Sequence, residues 1–308
     1  MISDWAEQVA NLRQLAAVRR ITLEDGAERG VSALSFDTGG GLAFWVLADR
    51  SLDIGPLGFR GTPLAWHHPA GFIAPGLHDA QADRGTGIQR SLSGFLVTCG
   101  LDNARQPRAG LPLHGSLPLT PARVLACGED WERPDPVLYV EGEICSAHLQ
   151  GACLSMRRRI EAPIGGASMT LTDRVQNVGP DPAEIRILYH TNFGYPMVTP
   201  RTRIELGGRD IEVHDRSATC HATPGGFDAE ITRSGCADWP GVRVRMQGDL
   251  PFVQLWRDAR PRRNILAVEP SNCGREPDGT SAPGQRLISG ETWQAQQKFT
   301  FSSVKQED

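Results

Sequence analysis

Lysine is nearly missing from this 308-residue sequence: only Lys298 and Lys305 occur, so almost all of its 32 basic side chains are arginines. That bias makes the positive charge guanidinium charge and implies no mechanism by itself. Long apolar runs are missing as well, since no stretch approaches the roughly 18 residues needed to cross a bilayer as a helix. There is no extended basic run, and 36 acidic side chains leave a net charge of −4, which argues against nucleic acid or a membrane surface as partner. The opening residues Met1-Ile-Ser-Asp-Trp-Ala-Glu7 lack the basic-then-apolar layout of a secretory signal, so a cytoplasmic location is expected. No Cys-x-x-Cys pair occurs among Cys99, Cys127, Cys145, Cys153, Cys220, Cys236 and Cys273. An odd set without that spacing signals neither a disulfide framework nor a zinc ribbon; the expectation is reduced, half-buried thiols and no structural metal.

What is present suits a large globular core. Hydrophobic residues make up 40% and charged residues 22% of the chain. A sandwich of this length folds as one unit often enough that residues 1–308 are expected to form a single domain. Trp5, Val9, Leu12 and Ala16, behind a possible Ser3 cap, predict a short amphipathic helix within residues 1–20. Helical periodicity then fades into short strand-like runs bounded by Gly, Pro, Asn or Asp. These are Leu42–Leu47, Val137–Val140, Leu154–Ile160, Met169–Val175, Ile185–Tyr189, Val242–Met246, Phe252–Trp256, Asn264–Val268 and Trp293–Phe301. Leu154–Ile160 and Met169–Val175 alternate on either side of Gly165-Gly166, an antiparallel hairpin pattern. With no strand–helix–strand rhythm, the fold class expected is all-β: a large antiparallel β-sandwich.

Three segments set ionisable or amide side chains where a strand leaves the sheet, a common address for chemistry. They are Gly94–Asn103 running on to Leu113-His114-Gly115, Tyr189-His-Thr-Asn-Phe-Gly-Tyr-Pro196, and Leu266-Ala-Val-Glu-Pro-Ser-Asn272. A lone histidine at a strand end is more often structural than catalytic. Glu269 stands out because a carboxylate after the apolar run Ile265–Val268 must be paired, protonated or functional if it is buried.

Together the three segments resemble the aldose 1-epimerase, or galactose mutarotase-like, family. His190-Thr191-Asn192-Phe193 matches its His-Thr-x-Phe motif, Leu113-His114-Gly115 its upstream Leu-His-Gly, and Val268-Glu269-Pro270 the late strand end that carries its glutamate. Ala48-Asp-Arg-Ser-Leu-Asp-Ile-Gly55 and Thr98-Cys-Gly-Leu-Asp-Asn103 are closest to a bacterial aldose-1-epimerase-like branch. The resemblance implies a super-sandwich with an open sugar cleft and cofactor-independent anomer interconversion of a free sugar or sugar derivative, without metal. It implies Glu269 as the base on the anomeric hydroxyl, His190 as the acid on the ring oxygen, and His114 as a sugar contact. The family's sugar-binding arginine lies in an Asn-Arg-Ile segment that is absent here; Arg105 is a stand-in, with Arg50, Asp102 and Asn103 as alternatives and Asn192 as a further substrate contact. The imidazole must be able to carry a proton near neutral pH, which its ordinary pKa of about 6.5 permits.

Other features have plainer readings. Trp66-His67-His68-Pro69 offers an aromatic platform for a sugar, but neighbouring strand residues face opposite ways, so a metal shared by both histidines is not expected. Thr38-Gly39-Gly40-Gly41 reads as a tight turn, since no phosphate-loop Lys-Ser/Thr follows. Arg157-Arg158-Arg159 reads as placing side chains on both sheet faces and as mostly solvated, whereas Arg50 would need a carboxylate or ligand if buried. Cys99 is placed to line the cleft. The sequence leaves two other functions open: a sugar-binding or sensing protein without turnover, and an epimerase or isomerase acting beyond C1. The partner in every case is a small carbohydrate, and the sequence does not give the oligomeric state.

Overall fold

The computed structural model describes residues 5–236 and 238–304 and consists almost entirely of two antiparallel sheets. The first runs Ala17–Thr22, Ser32–Asp37, Leu42–Leu47, Asp53–Phe59, Leu96–Leu101, Ala183–Phe193, Ile265–Ser271, Phe252–Asp258 and Ala218–Ala222, with two short strands attached to make eleven. The second has nine: Arg209–Asp210, Thr202–Leu206, Phe227–Arg233, Gly241–Gly248, Thr292–Val304, Ser168–Asn177, Cys153–Pro163, Val137–Ala147 and Arg123–Asp130. Each strand run expected from alternation falls inside one of these strands or within a residue of it. The expected hairpin is Cys153–Pro163 against Ser168–Asn177, with Gly165 at φ +74° in its turn. Between the sheets, one apolar cluster extends from Ala16 to Phe301 and draws on both. Among the described residues no helix is long and apolar enough to cross a membrane.

The N-terminal helix is shorter than its period suggests: Trp5 and Ala6 are helical, Val9 N–H donates to Trp5 O at 3.2 Å, and the helix does not continue toward residue 20. Leu12–Gln14 forms one 3-10 turn capped by Asn11, and Ala17–Thr22 is a strand paired with Ser32–Asp37. Pairing with a sheet satisfies the backbone of Ala17–Thr22 and buries Ala17 and Val18, a gain that outweighs a weak local helical period. Ser3, the possible cap, lies outside the described residues.

Thr38–Gly41 is a tight turn that docks on the hairpin tip of the other sheet. Gly165 N–H donates to Thr38 O at 2.7 Å, and a Cβ on Gly40 would fall 2.3 Å from Gly166 O. The reading of the arginine run is corrected at its centre. Arg157 and Arg159 point outward to Glu141 and Glu161, but Arg158 turns inward and is wholly buried. It meets Asp173 in a two-point ion pair at 2.8 and 2.6 Å and donates to Thr98 Oγ1 at 2.8 Å. Tyr189 O–H donates to the same Asp173 carboxylate at 2.7 Å, so a polar clamp crosses the core behind the strand that bears His190. Strand alternation forces this split: one arginine in three consecutive strand positions had to face the core.

Candidate active site

His190, Glu269 and Gln254 come from three adjacent strands of the eleven-stranded sheet. Leu188 lies opposite Ser271 and Thr191 opposite Val268, which sets His190 beside Glu269, while Gln254 pairs directly with Glu269. Side chains opposite one another in a ladder share a face, so the three stand abreast on the outer side of the sheet. Tyr189 and Thr191 point the other way, into the core. The face is a cavity wall. A cavity of about 520 Å³ opens over it, large enough for a monosaccharide and its substituents.

His190 Nε2 stands 3.5 Å from Glu269 Oε1, too far for a good hydrogen bond and close enough for both to reach one small molecule. Gln254 orients the carboxylate: its Nε2 donates to Glu269 Oε2 at 2.6 Å, and its Oε1 accepts from Arg105 Nε at 2.9 Å. Arg105, itself buried, is further held by Gly274 O at 2.9 Å. Glu269 Oε1 and His190 Nδ1 are buried without hydrogen-bond partners.

His114 arrives from a loop. It sits at φ +65°, followed by Gly115 at φ +71°, and its ring meets His190 edge-on with centroids 5.2 Å apart. His114 Nδ1 lies 3.1 Å from Ala104 O. A carbonyl only accepts, so that contact assigns the proton to Nδ1 and leaves Nε2 as an acceptor.

Burial governs the protonation of these groups. It pushes the Glu269 carboxyl up to about 7, against the partial offset of His114, Arg105 and the Gln254 hydrogen bond. Burial likewise lowers His190 to about 4, and burial with His190 as neighbour lowers His114 to about 4. The protonation that an ordinary imidazole pKa would permit near neutral pH is thus opposed by burial: both histidines are neutral there, and the last proton to leave is on Glu269.

The remaining residues singled out from the sequence divide cleanly. Arg105 lines the cavity; Arg50, Asp102, Asn103 and Asn192 do not. Arg50 is buried but spends its guanidinium on the carbonyls of Ser91 and Ile73, at 2.9 and 2.8 Å, so backbone oxygens rather than a carboxylate or ligand satisfy it. Asn103 Nδ2 donates to the carbonyls of Arg105, Gln106 and Pro112, and Asp102 Oδ1 accepts from the N–H groups of Asn103 and Ser116. Both fasten the loop that presents Arg105 and His114. Asn192 is fully buried and donates to Gly94 O and His190 O. Cys99 lies on the cavity face of the sheet yet is covered in a cluster with Val97, Ala104 and Leu188. Trp66 and His68 line the cavity, while His67 packs edge-on against Phe72.

Sequence reasoning missed Gln254 and Trp256, which line the cavity from one strand. The signal was a glutamine two residues before a tryptophan in an otherwise apolar strand run, a polar group facing the same way as an aromatic one.

A family model described as "Domain of unknown function (DUF4432)" matches residues 28–225, which include His114 and His190 but not Gln254 or Glu269. No curated protein matches. Among solved structures, a proposed aldose 1-epimerase from Klebsiella pneumoniae superposes with a TM-score of 0.74 at 16% identity, covering 94% of this chain and 86% of its own. A galactose mutarotase related enzyme from Lactobacillus acidophilus gives 0.62 at 11% identity over 92% and 98%. A galactose 1-epimerase from Lactobacillus acidophilus gives 0.54 at 10% identity over 94% and 99%. At such identities the likeness is one of fold.

Proposed function

We propose, starting from a chain that belongs to the DUF4432 family and has a galactose mutarotase-like fold, that it interconverts the anomers of a small sugar by acid–base ring opening. One observation carries this reading: His190 and Glu269, 79 positions apart in sequence, face each other 3.5 Å apart on the wall of an open cavity, with His114 edge-on beside them. A binding cleft needs no such pair.

The chemistry requires one donor and one acceptor. In the opening step the Glu269 carboxylate takes the proton of the anomeric hydroxyl, whose electrons form the C1 carbonyl. The C1–O5 bond breaks, and its electrons take a proton from the His190 imidazolium. Opening thus leaves a protonated carboxyl, a neutral imidazole and the open-chain aldehyde. Rotation about C1–C2 turns the other carbonyl face to O5. Closure runs the same transfers backwards and restores carboxylate and imidazolium. Each positioned proton transfer supplies roughly 10²–10⁴-fold in rate.

Burial keeps the shared proton on Glu269 and leaves His190 neutral, so that proton must pass from Glu269 to His190 before the ring opens; the same burial then favours the protonated carboxyl and neutral imidazole that accompany the open-chain aldehyde. His114, neutral and with Nδ1–H engaged by Ala104 O, offers Nε2 as acceptor for a sugar hydroxyl. Trp66 and Trp256 provide apolar walls for the C–H faces of a pyranose. Arg105 acts as a sugar contact and, through Gln254, steadies the base. None of these steps calls for a metal or organic cofactor.

The test is anomer exchange by NMR over neutral hexoses, pentoses, deoxy sugars and charged sugars, for the wild type and for Glu269→Gln and His190→Asn. The expected result is exchange of at least one sugar, reduced roughly 10²-fold or more in each variant with the fold intact. Wild-type exchange in Glu269→Gln would leave a binding protein or another chemistry as the better account.

A further inference from the structure

The charge of the cavity opposes that of the chain. Five guanidinium groups, those of Arg105, Arg216, Arg260, Arg263 and Arg275, line it against only two carboxyl groups, Asp258 and the burial-raised Glu269, in a protein of net charge −4. Local ion pairs account for two of the five. Asp258 is taken up by Arg260 at 2.8 and 2.5 Å, and Arg216 has Asp215 at 3.6 Å. Among the described residues, Arg105, Arg263 and Arg275 have no carboxylate at ion-pairing distance. Arg105 is only 2% exposed, so water does not discharge it.

Their placement brackets the catalytic strand. Arg263 precedes Ile265–Ser271 and its carbonyl accepts from Trp66 Nε1 at 2.8 Å, whereas Arg275 follows the same strand, its Nη1 only 3.5 Å from Glu276 O. The histidines of the cavity add no permanent charge, because burial lowers His68, His114 and His190 alike. What remains is guanidinium charge, fixed at every working pH and shaped for planar, two-point recognition of oxyanions.

We propose that the sugar taken by this cavity is an acidic one, bearing a carboxylate or phosphate away from the anomeric carbon, which the guanidinium group at one end of the strand, Arg263 or Arg275, recognises. This rests on the sugar-handling reading of the same cavity. A neutral hexose would leave three uncompensated cations around a partly dry cleft, whereas one anionic group offsets them and is drawn in by their summed field. Hydroxyl recognition alone would not call for so many guanidinium groups.

Calorimetric titration of the whole chain with free neutral hexoses, the matching hexuronic acids, and the matching hexoses phosphorylated on the primary hydroxyl reads the preference directly. The acidic sugars should bind about ten- to hundredfold tighter than their neutral counterparts, the range of a charge-assisted hydrogen bond, and the advantage should shrink as salt is added. The uronate and phosphate arms tell which anion is taken. Arg263→Gln or Arg275→Gln should lower the acidic-to-neutral affinity ratio about tenfold. Equal or tighter binding of neutral sugars, no binding of any acidic sugar, or an unchanged ratio in both variants overturns the proposal. Anomer exchange followed by NMR in the same solutions separates the two readings. Tight binding of an acidic sugar without exchange strikes the ring-opening chemistry alone; exchange of neutral and acidic sugars with equal affinity strikes the charge preference alone.

Discussion

Gln254→Met removes a single link, the amide that donates to Glu269 Oε2 at 2.6 Å while accepting from Arg105 Nε at 2.9 Å, and puts a side chain of similar length in its place. A hydrogen bond to a charged group is worth about 1.5–3 kcal/mol, and it stabilises the ionised carboxylate but not the protonated one. Losing it therefore raises the Glu269 pKa above its present value of about 7, by about 1–2 pH units at 1.36 kcal/mol per unit. The reacting pair needs one proton between two sites. It holds two below about 4, where His190 also protonates, and none above about 7, where Glu269 ionises. In anomer exchange measured against pH, kcat/KM of the variant should thus keep its acid limb and shift its alkaline limb upward. An overall rate loss should accompany the shift, because the carboxylate and Arg105 both lose their common anchor. A residue that only fills space would lower the rate without moving the limb. An alkaline limb that stays in place or moves down, in a variant with wild-type circular dichroism, refutes the reasoning.

The wild type should show a bell-shaped kcat/KM profile with limbs near 4 and 7 that belong to the coupled pair; a profile still rising well above neutral pH would contradict it. Glu269→Gln should be more stable than the wild type at about pH 8. The folded carboxyl titrates near 7 instead of the ordinary 4.5, so its contribution is favourable while it is protonated and is lost as pH rises through 7. The difference, about 3 kcal/mol at most, should vanish toward pH 4 in urea unfolding. Arg158→Met strands Asp173 and Asp53 in the core and should cost about 3–5 kcal/mol in the same assay, with Arg158→Met/Asp173→Leu recovering part of the loss; a cost under about 1 kcal/mol would show that the clamp is not an essential pair. His114→Asn should raise KM and lower kcat together in the exchange assay, since its ring touches both the cavity and His190.

Much of the architecture was legible in local pattern. The alternation at Leu154–Ile160 and Met169–Val175 depends only on which faces of one strand are apolar, and the Gly165-Gly166 turn depends on backbone freedom at one point. The His-Thr-x-Phe, Leu-His-Gly and Val-Glu-Pro motifs named His190, His114 and Glu269 because short stretches of chain hold them at strand ends and loop tips. Three other matters required tertiary structure. Ala17–Thr22 became a strand because a neighbouring edge satisfied its backbone, a partner that no local period reveals. Arg50 and Arg158 were both candidates for solvent or ligand contact, yet folding gave one to backbone carbonyls and the other to Asp173; only the packed environment decides which partner is near. The proton of the His190–Glu269 pair rests on Glu269 because both groups are desolvated at once. Sequence supplies the residue types and their ordinary pKa values, but burial, which exists only in the folded molecule, sets their order.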